Sequence, residues 1–160
     1  MNKINIICVD DEREVLDSVT RDLDYFSEFF NIEECESATE CLELLEELDL
    51  QDESIAVIIS DHVMPGMSGV DLLTEVECDP RFIGTKKLLL TGLATQADTI
   101  RAINQAKLDY FLEKVWDPQE LLQMVKELIT EFIIEQGIDY KKYIKKLDTQ
   151  TINRLVGVGA

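Results

Sequence analysis

Histidine occurs once in this chain, as His62, and tryptophan once, as Trp116. None of the four cysteines (Cys8, Cys35, Cys41, Cys78) is spaced Cys-x-x-Cys. With one imidazole and no paired thiols, the ligand pattern of a zinc site is missing. The cysteines are expected to be small, buried, reduced hydrophobes. Long apolar runs are also missing. None approaches the roughly 20 residues that cross a bilayer. Met1-Asn2-Lys3 leads straight into the run Ile4–Val9, which is too short for a signal peptide and has no small-residue cleavage site. A cytoplasmic protein without a membrane anchor is expected. Basic residues are scarce, 15 against 33 acidic, for a net charge of −18. That balance argues against direct binding of nucleic acid or an anionic membrane by the main body. The deficit is uneven. Residues 137–160 hold Lys141, Lys142, Lys145, Lys146 and Arg154 against Asp139 and Asp148, a net +3 that leaves −21 on the first 136. The lysine cluster reads as a solvated helix face, too short for a DNA-binding domain. Internal repeats and low-complexity segments are absent as well.

What is present is a chain of 160 residues, 46% hydrophobic and 30% charged, enough for one globular domain with a real core. Ile4–Val9 is a dense apolar strand ending at Asp10-Asp11-Glu12. Val15, Val19, Leu23, Phe26 and Phe30 then recur at helical spacing. Ile32 to Glu36 is more polar, as an edge strand would be. Ser37-Ala38-Thr39-Glu40 is a capping box. It opens a helix with Ala38, Cys41, Leu42, Leu45 and Leu48 inside. Ile55 to Ser60 is a strand buried on both faces, followed by Asp61 and a loop broken by Pro65, Gly66 and Gly69. A short helix through Val70, Leu73 and Val76 ends at Asp79-Pro80. Leu88-Leu89-Leu90 is the next strand core and ends at Thr91-Gly92. A helix from Gln96 to Ala106 precedes the strand Tyr110-Phe111-Leu112, which ends at Glu113-Lys114. Asp117-Pro118-Gln119-Glu120 starts a last long helix, with Gly137 as its stop. Residues 138–160 are expected as a helical tail or linker after a first domain of 1–136. One amphipathic helix would run through Ile138, Tyr140, Tyr143, Ile144 and Leu147, and residues 156–160 would fray.

Five strands alternating with helices imply an α/β fold: a parallel sheet with right-handed crossovers and helices on both faces. In such a sheet all strand C-termini share one edge, so Asp10-Asp11, Asp61, Thr91 and Lys114 are expected to converge. Like-charged carboxylates repel, and a divalent cation removes that cost. All-oxygen ligands point to magnesium. An ammonium and a hydroxyl beside a carboxylate complete a clamp for a phosphoryl group.

These residues resemble the receiver domain of two-component response regulators over about residues 3–136. The acidic pair Asp10-Asp11, Asp61 with Met64-Pro65-Gly66 and Gly69 after it, Thr91 and Lys114 stand in the family's order and spacing. The resemblance implies a flavodoxin-like strand order 2-1-3-4-5. It implies that Asp61 accepts a phosphoryl group from a sensor histidine kinase or phosphotransfer protein, with no other catalysis by the chain. Magnesium would be held by Asp10 or Asp11, Asp61 and the backbone carbonyl of Val63. Thr91 and Lys114 would contact the phosphoryl group. Phe111 would be the switch aromatic, altering a face made by helix 4, strand 5 and helix 5. Output domain or partner is not written in the residues. Homodimer formation is left open by the residues. Lys114-Val115-Trp116-Asp117 resembles receivers fused to phosphodiesterase or kinase modules.

One departure is clear: the family's Lys-Pro is here Lys114-Val115. A cis bond before valine costs about 3–4 kcal/mol, yet Lys114 must still point at the site, so cis is favoured. Val63 and Leu93 are apolar and are expected to shield the acyl phosphate from water. His62 reads as a loop residue, and Trp116 as a packing or partner contact. A magnesium phosphohydrolase of similar fold would want an acid at position 63, where Val63 stands. A degenerate receiver serving only as a docking module is disfavoured by the intact site set.

Overall fold

The computed structural model describes residues 3–92 and 96–157. The apolar runs form strands β1 (Ile4–Val9), β3 (Ser54–Ser60) and β4 (Lys86–Thr91), flanked by β2 (Asn31–Cys35) and β5 (Tyr110–Glu113). All pairings are parallel. The five-stranded sheet has the order β2-β1-β3-β4-β5. Side chains alternate across it. Ile6, Cys8, Val57, Ile59, Leu88 and Leu90 meet Leu16 of α1 (Arg13–Asp22) and Val125, Leu128 and Phe132 of α5 (Pro118–Glu135) on one face. Ile7, Val9, Ile58 and Leu89 meet Leu45 of α2 (Ala38–Leu50), Leu73 of α3 (Gly69–Cys78) and Ala102 of α4 (Gln96–Gln105) on the other. A central strand thus needs apolar residues along most of its length, and the one polar residue inside β1, Asn5, donates its side-chain amide to Glu53 and the Ser54 carbonyl. Each fully buried Ile, Leu or Val contributes about 1.5–3 kcal/mol. β2 lies at the edge and is only partly buried from Asn31 to Glu34.

Helix starts follow the sequence signals. The Ser37 side chain accepts from the Glu40 N–H, while Glu40 accepts from the Glu36 N–H. Asp117 accepts from the Gln119 N–H, with Pro118 opening α5. Gly137, at φ +71°, follows the end of α5.

Three expectations are corrected. The first helix does not continue to Phe30. It ends at Asp22, and a 3-10 turn over Asp24–Phe26 follows. A straight helix from 13 to 30 would be about 27 Å long, whereas six strand residues span about 20 Å. The chain must turn to enter β2, and the turn still buries Leu23, Phe26 and Phe30. The tail is not one amphipathic helix. A 3-10 segment, Tyr140–Lys146, leads to α6 (Thr149–Val156). The break comes at Asp148, whose carboxylate accepts from the Thr151 N–H and hydroxyl, a cap that starts a new helix. Val156, expected to fray, ends α6 and packs on the core, while 158–160 lie outside the described residues. Finally, Cys78 is exposed at the last position of α3, although Cys8, Cys35 and Cys41 are buried thiols as expected.

The tail is bound to the body. The Tyr143 ring stacks on Phe30 at 5.3 Å, and the Tyr25 hydroxyl donates to the Lys145 carbonyl at 3.0 Å. The Asp148 N–H donates to the Thr130 hydroxyl at 2.9 Å, and Leu147 and Ile152 are buried. Lys146 is not simply solvated: its ammonium lies 4.0 Å from the Tyr25 ring centre and 3.5 Å from Glu28. Among the described residues, no helix is long and apolar enough to cross a membrane. Because Leu147 belongs to the main core, Leu147→Ala should lower unfolding free energy by about 2–5 kcal/mol in urea titration, with one transition. An unchanged midpoint would show that the tail lies outside the cooperative unit.

Candidate functional site at the carboxyl edge of the sheet

The chain moves outward from β1 to β2, then crosses back over β1 to β3. The loops after β1 and β3 therefore part in opposite directions and leave a crevice at the strands' carboxyl edge. Two carboxylates enter it. The Asp10 N–H donates to the Cys35 carbonyl at 3.1 Å, and its Oδ1 accepts from the Glu12 N–H at 2.8 Å. The Asp61 N–H donates to the Val9 carbonyl at 2.9 Å, and its Oδ1 accepts from the His62 N–H at 2.8 Å. Both side chains are held by backbone and are almost wholly buried. Asp11, beside Asp10, is exposed.

Lys114 comes from the far side of the crevice, just beyond β5. Its N–H donates to the Thr91 carbonyl at 3.2 Å, which fixes the loop against the end of β4. Its Nζ lies 3.1 Å from Asp10 Oδ2 and 3.4 Å from Asp61 Oδ1. Thr91 is buried as the last residue of β4, opposite Glu113 of β5. The Lys114–Val115 peptide bond is cis, as expected, and Val115 is exposed.

The charges do not balance. Burial, and then the Asp10 carboxylate, push the Asp61 pKa above the ordinary aspartate range, against the pull of Lys114. Burial alone would lower Lys114, but Asp61 and Asp10 outweigh it and hold the ammonium above the ordinary lysine range. One lysine is thus too little cation for the site. Asp10, Asp11 and Asp61 each bring a carboxylate oxygen within 4.8 Å of the others. A hard divalent cation suits this donor set and its residual negative charge.

The loop after Asp61 is shaped by what can fit. A Cβ on Gly69 would lie 1.9 Å from the Asp61 carbonyl oxygen, so only glycine permits this approach. Gly66 takes φ +82°. The Ser68 side chain accepts from the Asp71 N–H at 3.1 Å and starts α3. Val63 is half exposed on this loop, and Leu93, its expected companion as a water shield, lies outside the described residues. Phe111 is partly buried on β5 against the cluster that holds Met64 and Ala102. Trp116 packs on the core and donates Nε1–H to Asp22 at 2.8 Å.

His62 was passed over in the residue pattern. It is a loop residue, as expected, but a buried one, and its Nε2 lies 3.4 Å from Asp98 Oδ2 in the first turn of α4. Nothing in local sequence connects the two residues. Only the packing of α4 over the Asp61 loop brings them together.

Residues 6–126 match the family model described as the response regulator receiver domain. The chain is similar to the hydrogenase transcriptional regulatory protein HoxA of Cupriavidus necator, 30% identical over 78% of this chain and 24% of that protein. It is similar to the response regulator Rre1 of Synechocystis sp., 32% identical over 79% of this chain and 52% of that protein. The match therefore spans about half or less of these curated relatives. The solved signal receiver domain of an HD domain-containing protein from Pseudomonas fluorescens Pf-5 aligns with a TM-score of 0.74 at 25% identity. That alignment covers 86% of this chain and 94% of the other.

Two outcomes follow from the site's geometry. Gly69→Ala should destabilise by about 1–3 kcal/mol in chemical denaturation, because backbone rather than a flexible side chain blocks the methyl group. A raised Asp61 pKa means that its stabilising contribution is complete below the ordinary aspartate range and is lost as pH rises through the raised value. In metal-free buffer, Asp61→Asn should thus raise Tm at pH 7, with the gain shrinking towards about pH 3. A gain independent of pH would contradict the assignment.

Proposed function

Since the chain belongs to the response regulator receiver domain family, we propose that Asp61 is its phosphoacceptor and that the chain conveys a phosphorylation signal. The observation that carries this reading is the Lys114 ammonium, 3.1 Å from Asp10 and 3.4 Å from Asp61 in one buried crevice. The donor is a phosphohistidine on a sensor kinase or phosphotransfer protein. An oxygen of the Asp61 carboxylate bonds to phosphorus as the phosphorus–nitrogen bond breaks, and the electron pair returns to the donor imidazole. Lys114 offsets the charge on the phosphoryl oxygens and holds the group in place, and the Thr91 hydroxyl donates to one of them. Magnesium, held by Asp10, Asp11, Asp61 and the Val63 carbonyl, neutralises the phosphoryl oxygens when bound. The half-exposed Val63 side chain, with Leu93, limits water access to the acyl phosphate.

The signal leaves through the face made by α4, β5 and α5. Thr91 moves towards the phosphoryl group, Phe111 turns into the space released, and α4 shifts. The partly buried position of Phe111 beside Ala102 of α4 supports this route. The altered face meets an output domain, a separate partner or a second copy of the chain. The setting is cytoplasmic, with no role in direct nucleic-acid or membrane binding. The chain's own chemistry is limited to gain and loss of the phosphoryl group.

Acetyl phosphate with magnesium should add one phosphoryl mass to the protein, read by intact mass spectrometry. Asp61→Asn should abolish the addition. Lys114→Ala should slow it by about tenfold to a hundredfold, as loss of one charged stabilising group does. Chelation of magnesium should also prevent it. No mass gain in the wild-type protein would overturn the phosphoacceptor assignment.

A further inference from the structure

α4 is the least firmly held helix that touches the site. Of its described residues only Ala102 is buried, while Ile100 and Ile103 are exposed. α3 beside it buries Val70, Leu72, Leu73 and Val76. A methyl group offers little apolar area, so α4 depends more than its neighbours on polar ties. Two are present. Arg101 Nη1 lies 3.2 Å from Asp71 Oδ1 on the surface, where ion pairs contribute little. The second is Asp98 to His62, with the imidazole buried and Nε2 3.4 Å from the carboxylate. Nδ1 of the same ring is buried without a partner, so among the described residues Asp98 is the ring's one polar contact.

His62 is also joined to the acceptor through its backbone. Its N–H donates to Asp61 Oδ1 at 2.8 Å, and its carbonyl accepts from the Gly69 N–H at 2.9 Å. One residue therefore touches the Asp61 carboxylate on one side and the first turn of α4 on the other. The ring tautomer with its hydrogen on Nε2 is the one that suits a carboxylate oxygen as neighbour.

We propose that His62 is a positioning residue that clasps the N-terminal turn of α4 to the Asp61 loop, so that the state of Asp61 and the position of α4 are coupled through the His62–Asp98 contact. This rests on Asp61 being the phosphoacceptor. A phosphoryl group on Asp61 competes for the oxygen that the His62 N–H now holds. A shift of the His62 backbone moves its ring against Asp98 and loosens a helix in which Ala102 is the buried described residue. The clasp is a second path from acceptor to α4, separate from Thr91 and Phe111.

The test is amide hydrogen exchange of residues 96–105, with and without acetyl phosphate and magnesium. Labelling of Asp61 is read by intact mass in the same samples. In the unphosphorylated protein, His62→Leu and Asp98→Ala should each speed α4 exchange about fivefold, as loss of one net hydrogen bond would. The double variant should be no faster than either single one, and His62→Gln, which keeps a donor, should restore part of the protection. Phosphorylation should speed α4 exchange in the wild type and add little in His62→Leu. If His62→Leu does not fold by thermal denaturation, Asp98→Ala alone carries the comparison. Labelled wild type with unchanged exchange in both variants, or additive effects in the double variant, would overturn the clasp alone. Absence of labelling in the wild type would overturn the phosphoacceptor reading and the clasp with it.

Discussion

The structure depends on one lysine reaching across a crevice to two buried carboxylates. Asp10 and Asp61 sit at the ends of adjacent strands, both held by backbone N–H groups and both removed from water. Two such groups repel, and burial strengthens the repulsion because less water screens it. Lys114, arriving from the fifth strand, answers part of that charge. The part left over keeps Asp61 above the normal aspartate range. That residue of unbalanced charge suits the crevice to a divalent cation.

The surrounding packing separates firm elements from lightly held ones. β1 and β3 are apolar on both faces and supply the backbone that fixes Asp10 and Asp61. α5 buries Leu121, Val125, Leu128, Ile129, Phe132 and Ile133 and is the deepest-seated helix against that sheet. α4 shows the opposite balance, with Ala102 inside and isoleucines outside. An element with few buried contacts opens at low free-energy cost. The polar contact from Asp98 to His62 stands where apolar burial is thin.

The C-terminal segment solves a charge problem and a packing problem together. It carries a net +3 on a chain whose first 136 residues carry −21. Lys146 meets Glu28 and the Tyr25 ring, and Arg154 lies 3.0 Å from Glu131. Exposed pairs of this kind contribute between about 0 and 1 kcal/mol each. The burial of Leu147 and Ile152, with the Tyr143–Phe30 stack, gives the larger share. The segment over 138–157 is thus seated on α5 and the turn after α1 rather than trailing from them.

The amino-acid sequence by itself determined the layered architecture and which polar strand ends meet at one edge. Dense apolar runs at Ile4–Val9 and Ile55–Ile59 require strands covered on both faces. A rule of parallel sheets then brings their polar ends to one rim. Local signals also located the caps at Ser37 and Asp117, because a cap is a contact between near neighbours. Tertiary structure alone decided the rest. The first helix stops at Asp22 since the sheet is shorter than the helical pattern, and Asp148 divides the tail because Thr130 and the core hold the chain there. His62 acquires its partner on α4 only after two helices have packed on the same face of the sheet. Period and composition report what a residue needs from its surroundings. They do not report which distant residue meets that need, since such a contact exists only when the chain has closed on itself.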